Sequence, residues 1–493
     1  MPALGVVSLL ACVVVAAAAP PKPKAKPVRS GPAIWKSDCA ACHGDNGEGA
    51  AGYPKPLAGT RSVGQLTPLI ARTMPPGGPR LSNADAARVA SHLHGAFYSP
   101  VARERNRPAR VSLARLTVSQ MRHAVSDLIQ SFRSEQPAPA ESGLRAEYFR
   151  ARSFGNNDRL VQRIDPDVRF DFGTEVPVAD QGFDPYQFSI RWQGRLDAPD
   201  TGEYEIVVHT DHSFRVWVND TQVPLIDAWV KSGTETAFRA PIFLTGGRSY
   251  ALRLEFSKST QGVDDTKSQG KRKVPPAFIR LGWRRPKLEE EPIPSRFLIP
   301  ALGRPRFLVT QSFPPDDRSM GYERGNAVNP AWADAVTSVA LDASRHVLTN
   351  LRELSGVAPD APERKAKLMA FCEQFVERAF RRPLDNESKQ FHIRRIFDET
   401  PDLDLAVRRT LLLALKSPRF LYHHDPALDD AWARAARLSF ALWDTIPDES
   451  LRKAAAAGKL ATAEGMRFEA QRLALDPRAT HKLKAFLLAW LRV

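Results

Sequence analysis

Two cysteines three positions apart, with a histidine directly after the second, are the residues of this chain whose types and spacing most directly imply chemistry. They are Cys39, Cys42 and His43 in "SDCAACHGDNGEG". Thiols separated by two residues share one helical turn, at the spacing of the two vinyl groups of a haem, to which they add covalently. The adjacent His43 is then directed at the iron. Three other chemistries compete. A structural zinc site needs two further ligands at matched spacing, and the four cysteines of the chain include no second pair. A thioredoxin-like redox pair belongs where a strand meets a helix in a βαβ unit, which is not written around Cys39. A structural disulfide across so short a loop is uncommon. The pattern predicts one covalent haem c.

The second axial position has its own candidate. "LIARTMPPGG" contains Met74, the only methionine between the haem motif and the end of this region, and its prolines impose an extended loop that presents a thioether. His92 and His94 are rivals, but they fall on a helix where a histidine is ordinarily a surface residue. A His43/Met74 pair raises the reduction potential of the iron.

The elements that position these residues are short. "LSNADAARVASHLHGAF" reads as a helix, with Ser82 as N-cap, Asp85 three residues on, and Val89, Leu93 and Phe97 on one stripe. Residues 31–99, with a short helix into "CAACHGDNGEG", the "TMPP" loop and this C-terminal helix, resemble a small class I cytochrome c. Residues 1–19, "MPALGVVSLLACVVVAAAA", read as an export signal with an A-x-A-like site near Ala16 to Ala18. "LLAC", ending at Cys12, competes as a lipoprotein box, and an uncleaved anchor would attach the N-terminus to a membrane. Each version predicts a periplasmic or cell-envelope protein, which suits haem c. Residues 20–30 form a Pro/Lys linker.

Downstream the periodicity changes twice. Residues 100–139 read as a basic connector containing a helix, with Leu116, Met121, Val125 and Leu128 on one face. From about 140 to 290 the period is two, in "YQFSIRWQGRLDA", "GEYEIVVHTD", "FRVWVND" and "YALRLEF", and an antiparallel sandwich or barrel is expected. Residues 291–329 read as a linker. The period is helical again over 330–424 and over 425–493, the last ending in an uncapped apolar helix that reads as truncated. The fold class is therefore multidomain: an all-α cytochrome c domain, an all-β antiparallel module and an all-α C-terminal region. With 493 residues and 43% apolar content, several real cores can form. The net charge of +15 raises anionic partners, yet the arginines are scattered and "SQGKRK" lies in a polar loop. Nucleic acid is not expected as a partner.

Two further resemblances follow. "LRAEYF", "IRWQGRLDAPDTGEYEI", "TDHSFRVWVND", "LIDAW" and "FIRLGW" resemble the protective-antigen-type β module of bacterial toxins, glycosidases and yeast adhesins. Some members of that family bind glycans through calcium held by consecutive aspartates. Here Asp211 is followed by His212, so calcium is disfavoured. Asp211 and Asp227 read as loop-ordering carboxylates, and Asp264 and Asp265 as solvated. "ARLTVSQMRHAVSDLI", "DDRSMGYERGNAVNPAWADA", "RAFRRPLDNES", "LKSPRFLYHH" and "ARLSFALWDTIPDESLRKAAAAGKL" resemble the large cytochrome c proteins of planctomycete-type bacteria. That resemblance implies architecture and haem but no reaction.

In the helical part His423 and His424 read as solvent-facing, and Cys372 as a buried thiol. The arginines of "RAFRRPL" are expected to pair with acids such as Glu377 and Asp385. The leading functional expectation is an exported carrier that exchanges electrons with a redox partner protein or quinol, held near a polysaccharide by its β module. An oxidoreductase with a catalytic helical region and haem as relay, and an adhesion protein with an accessory cytochrome, are the alternatives.

Overall fold

The computed structural model describes residues 28–50, 52–106, 114–134, 139–230, 234–258, 273–423 and 429–491. The readings that rest on residues 1–19, Cys12, Asp264, Asp265 and His424 lie outside these. Two compact units divide after Arg110. Among the described residues no helix is long and apolar enough to cross a membrane.

The first unit is helical. Ser30 caps the helix Gly31–Ile34, a π turn Trp35–Cys39 follows, and Ala40–His43 completes the run. Helices Val63–Thr73 and Asn83–Leu93 complete a small core of Ile34, Trp35, Leu66, Ile70, Val89 and Leu93. Ser82 Oγ accepts from Asp85 N at 3.1 Å, the cap that the spacing predicts. Gly31 is required where the first and last of these helices cross, because a Cβ there would lie 2.4 Å from Arg88 O.

The second unit joins a β sandwich to a helical body. The strands are β1 (Leu144–Phe149), β2 (Arg159–Asp165), β3 (Arg169–Gly173), β4 (Phe188–Ala198), β5 (Gly202–Thr210) and β6 (Ser213–Val218). They continue as β7 (Ile226–Ala228), β8 (Ala237–Leu244), β9 (Arg248–Lys258), β10 (Ala277–Arg284), β11 (Glu290–Pro292) and β12 (Leu298–Ile299). One sheet runs β2-β1-β4-β9-β6-β7 with β12 also on β4, and the other runs β11-β10-β5-β8 with β3 on β10. Every pairing is antiparallel. Alternate residues such as Tyr250, Leu252, Leu254 and Phe256 meet Trp192, Tyr204 and Trp283 in one core, as period-two patterning requires.

Two segments expected to connect domains are instead built into them. The helix Val118–Gln130, which falls within the expected connector 100–139, is one of these segments. It buries Met121, Ala124, Val125, Leu128 and Ile129 against Trp332, Val336, Val339, Phe371 and Phe375. A four-residue apolar stripe is too costly to leave in water, and the helical body supplies its complement. Residues 291–329 contribute β11, β12 and the buried Phe307 and Val309. Their proline content prevents a helix but not an extended chain that adds strands to existing edges. Nor do residues 330–424 and 425–493 have wholly separate cores. Phe440 and Ile446 lie in the larger helical core, whereas Trp443, Leu451, Leu460 and Leu473 form a smaller one.

Candidate haem site

The run from residue 31 to 43 carries the motif at its C-terminal end. The π turn Trp35–Cys39 inserts an extra residue per turn just before Cys39, and such turns occur often at functional positions. Trp35 is anchored in the core and donates through Nε1 to Asp45 O at 3.0 Å, tying the loop after the motif back to the helix. Gly44 then ends the helix at φ +80°, where a side chain would be strained. Gly52 approaches Cys42, and a Cβ there would stand 3.2 Å from Sγ.

The reactive groups are free. Cys39 is half-buried and Cys42 exposed, and among the described residues neither is in a disulfide. Burial, with Asp38 and Cys42 adding to it, pushes the Cys39 thiol up to about 11. The His43 ring stacks on Trp35 at 6.1 Å and tilts against Tyr53 at 4.8 Å. Among the described residues its Nδ1 is buried without a hydrogen-bond partner, and burial lowers its basicity. Met74 follows the helix Val63–Thr73 in extended backbone, φ −123° and ψ 143°, as a residue before proline should. Its side chain packs against the same small core as Cys39. His92 sits at the helix crossing, its Cβ 3.0 Å from where a Cβ on Gly31 would be and its ring 6.2 Å from Trp35. His94 begins the π turn His94–Tyr98.

These residues fit a haem better than the alternatives. Two free thiols, an imidazole with a buried nitrogen left unbonded, and a thioether on the same core form a donor set suited to covalent attachment and iron ligation. Among the described residues no group of three or more His, Cys, Asp or Glu side chains is placed to hold a metal ion by itself. No local pattern marks Trp35 and Tyr53 as the rings framing His43, because that contact depends on how the loop folds back.

In the second unit His423 and the arginines of "RAFRRPL" are placed differently from expectation, whereas Cys372 and Asp227 are placed as expected. His423 is not solvent-facing. Its Nε2 lies 3.0 Å from Gln120 Oε1, its ring meets Phe440 at 4.9 Å, and burial beside Arg381 pushes it down to about 4. The arginines of "RAFRRPL" do not pair with Glu377 or Asp385. Arg381 is buried and donates to the carbonyls of Arg419, Phe420 and Tyr422, Arg382 pairs with Asp430, and Arg378 donates to Ser131. Glu377 and Asp385 instead accept from Leu384 N and Ser388 N. Backbone groups at chain turns outcompete side-chain acids because they are already fixed nearby. Cys372 is fully buried. Asp227 pairs with Arg215 at 3.0 Å and accepts from Trp229 N. His212 Nε2 lies 3.8 Å from Asp211 and 3.0 Å from Pro276 O.

Comparison with known proteins divides the chain in the same order. A family model for the cytochrome C oxidase, cbb3-type, subunit III matches residues 26–93. One for the PA14 domain matches residues 140–296, and one for a protein of unknown function, DUF1592, matches residues 430–493. The anti-sigma-I factor RsgI3 of Acetivibrio thermocellus is 30% identical over 172 residues, which is 34% of this chain and 24% of that protein. An anti-sigma factor domain-containing protein from Clostridium clariflavum is 24% identical with a TM-score of 0.27, covering 34% of this chain and 51% of that one. The PA14 sugar-binding domain from an RTX adhesin is 14% identical with a TM-score of 0.24, covering 33% of this chain and 100% of that one. The chain spans about a quarter of the curated relative and about half of the first solved structures it matches. It combines a cytochrome c domain, which implies covalently bound haem c, with a PA14 β domain and a DUF1592 region.

Proposed function

We propose that this protein is an exported electron carrier whose single haem c is attached through Cys39 and Cys42 and ligated by His43 and Met74. The observation that carries the reading is the free C-x-x-C-H set, with His43 Nδ1 buried and unbonded, inside the region matched by a cytochrome c family. Bound haem c supplies a one-electron couple. Cys39 and Cys42 would hold it covalently, and His43, kept between Trp35 and Tyr53, would ligate the iron together with Met74. With His43 and Met74 both as ligands, the protein would exchange electrons with a partner protein or quinol in the periplasm or cell envelope and would not bind oxygen at the iron. The PA14 domain supports a polysaccharide-holding role for the β module.

Protein matured in an exporting host should keep its Soret absorbance through denaturation and acid–acetone extraction. The reduced form should be low-spin and refuse carbon monoxide, and Met74→Ala should admit it and lower the potential. Loss of all haem on extraction sinks the covalent assignment. Ready carbon monoxide binding by the unmodified protein removes Met74 from the iron.

A further inference from the structure

The outer face of the seven-stranded sheet carries two adjacent cross-strand rows of different character. In one, the pairings Glu147–Arg191, Arg191–Glu255, Arg215–Glu255 and Arg215–Asp227 alternate sign across the sheet. Its charges satisfy one another, with Arg191 Nε 3.1 Å from Glu255 and Arg215 Nε 3.0 Å from Asp227. The neighbouring row runs Ile164, Arg145, Gln193, Arg253 and Trp217, and it contains no carboxylate. Arg253 lies over the Trp217 ring at 3.7 Å. Arg145, at the other end, has no ion-pair or hydrogen-bond partner among the described residues. A sheet that pairs its outward arginines in one row and leaves this one open has a guanidinium to offer.

Arg145 opens onto a cleft of about 600 Å³ between β1, β2 and the segment at residues 300–301. Gln162 lines it beside Arg145, with Ile164, Pro300 and Ala301 as its apolar walls. Arg163 borders it only along the strand: between Gln162 and Ile164 its side chain turns to the other face of the sheet, where Asp165 at 2.7 Å and the Tyr148 hydroxyl at 2.6 Å hold it. The volume lies in the range of small-ligand sites. The lining combines a free planar fork of donors, an amide, and flat apolar surface. A planar carboxylate is the group that such a fork matches in two parallel hydrogen bonds. Apolar walls suit the C–H faces of a sugar ring, and Gln162 suits its hydroxyls.

We propose that this cleft binds the carboxylate-bearing sugars of an acidic polysaccharide, with Arg145 as the clamp on the uronate. The inference rests on the polysaccharide-holding reading of the β module and adds to it the ligand class and the place. The chain's net charge of +15 favours approach of such a polymer over long distances, but only Arg145 and its neighbours read the carboxylate.

The test is affinity electrophoresis of the full, haem-loaded chain in gels containing polygalacturonate or its fully methyl-esterified form. Polygalacturonate should retard the protein and the ester should not. Arg145→Gln should weaken binding by about tenfold or more, the scale of one lost bidentate contact. Arg280→Gln, which removes the same charge from β10 in the other sheet, should leave binding nearly unchanged, and thermal melts should show both variants folded. Equal weakening by the two substitutions, or none by Arg145→Gln, reduces the effect to net charge and overturns the proposal. Equal binding of the ester leaves the polysaccharide reading standing and removes the carboxylate from it. Binding of neither polymer overturns the proposal, and the haem reading, judged by its spectra, is untouched in every case.

Discussion

The haem region and the seam between the β sandwich and the helical body both keep polar groups away from water, but they do so in opposite ways. At the seam, Arg248 and Arg306 grip the two oxygens of Asp127, each at 2.7 Å. Burial alone would raise the Asp127 carboxyl, yet the two guanidinium groups hold it well below the usual carboxylate range. Arg115 pairs with Asp316 at 2.7 Å, and the second Asp316 oxygen accepts from Val118 N at the start of a helix. In the haem region the thiols are unlinked and the buried His43 nitrogen is unbonded. Buried polar groups are ordinarily paired, so unlinked thiols beside an unbonded imidazole nitrogen point to a ligand, whereas carboxylates with both oxygens taken by fixed donors point to architecture.

Removing the open set should have the largest effect. Cys39→Ser with Cys42→Ser abolishes covalent haem altogether, read as loss of haem stain after denaturing electrophoresis, and leaves the unfolding of the second unit unchanged. If the double variant keeps covalently attached haem, these are not its anchors.

Removing one member of the paired set comes next. Asp127→Ala leaves Arg248 and Arg306 buried without their anion and should cost about 3–5 kcal/mol. The second unit should then melt at lower temperature while the haem spectrum is retained. A cost below about 1 kcal/mol would show that water reaches the seam and that the pairing is decorative.

A change of pH separates the two kinds of burial again. The folded His423 is pushed down to about 4, below the ordinary unfolded value near 6.5. The unfolded chain therefore binds the proton first, and stability contributed by this residue is complete above about 6.5 and falls as pH drops toward 4. Its size is on the order of 3 kcal/mol. His123, buried beside Arg248 and also lowered, acts in the same direction. Asp127 has the opposite reach, since its contribution is lost only below its own unfolded value near 4. Denaturant melts from pH 7.5 to 4.5 should show a steady loss that His423→Gln reduces. A flat profile would place both imidazoles in water.

What was legible in the sequence follows the range of the interaction. The C-x-x-C-H motif, the cap at Ser82 and the alternation of β9 are local patterns, and each is visible within about a dozen residues. Asp127 meets its partners 121 and 179 residues away, and Gln120 meets His423 303 residues away. No window along the chain contains both ends of such a contact. The linker reading of residues 291–329 failed for a related reason. Proline there reports only what the segment does not form by itself, whereas its strands exist because β4 and β10 have edges to receive them. Met74 stands between these cases, since its backbone is set by the next proline but its ligand role depends on a group across the core.

The smallest effect tests whether the two units answer equally to the same loss. Ser82 accepts from Asp85 N at 3.1 Å in the haem unit, and Thr117 accepts from Gln120 N at 3.2 Å at the helix that enters the helical core. Substituting either by alanine removes one cap, worth about 1 kcal/mol. The haem unit has a small core, in which Ile34, Leu66, Ile70 and Val89 are among the few fully buried side chains. A domain of that size has a small unfolding entropy, so the same free energy moves its midpoint by about 4–8 °C. The second unit unfolds with a far larger entropy, and its midpoint should move by no more than about 2–4 °C. Differential scanning calorimetry of Ser82→Ala and Thr117→Ala, with the haem absorbance marking the first transition, measures both. Equal shifts would mean that the units melt together, and the contrast between an open and a closed region would then describe their chemistry but not their stability.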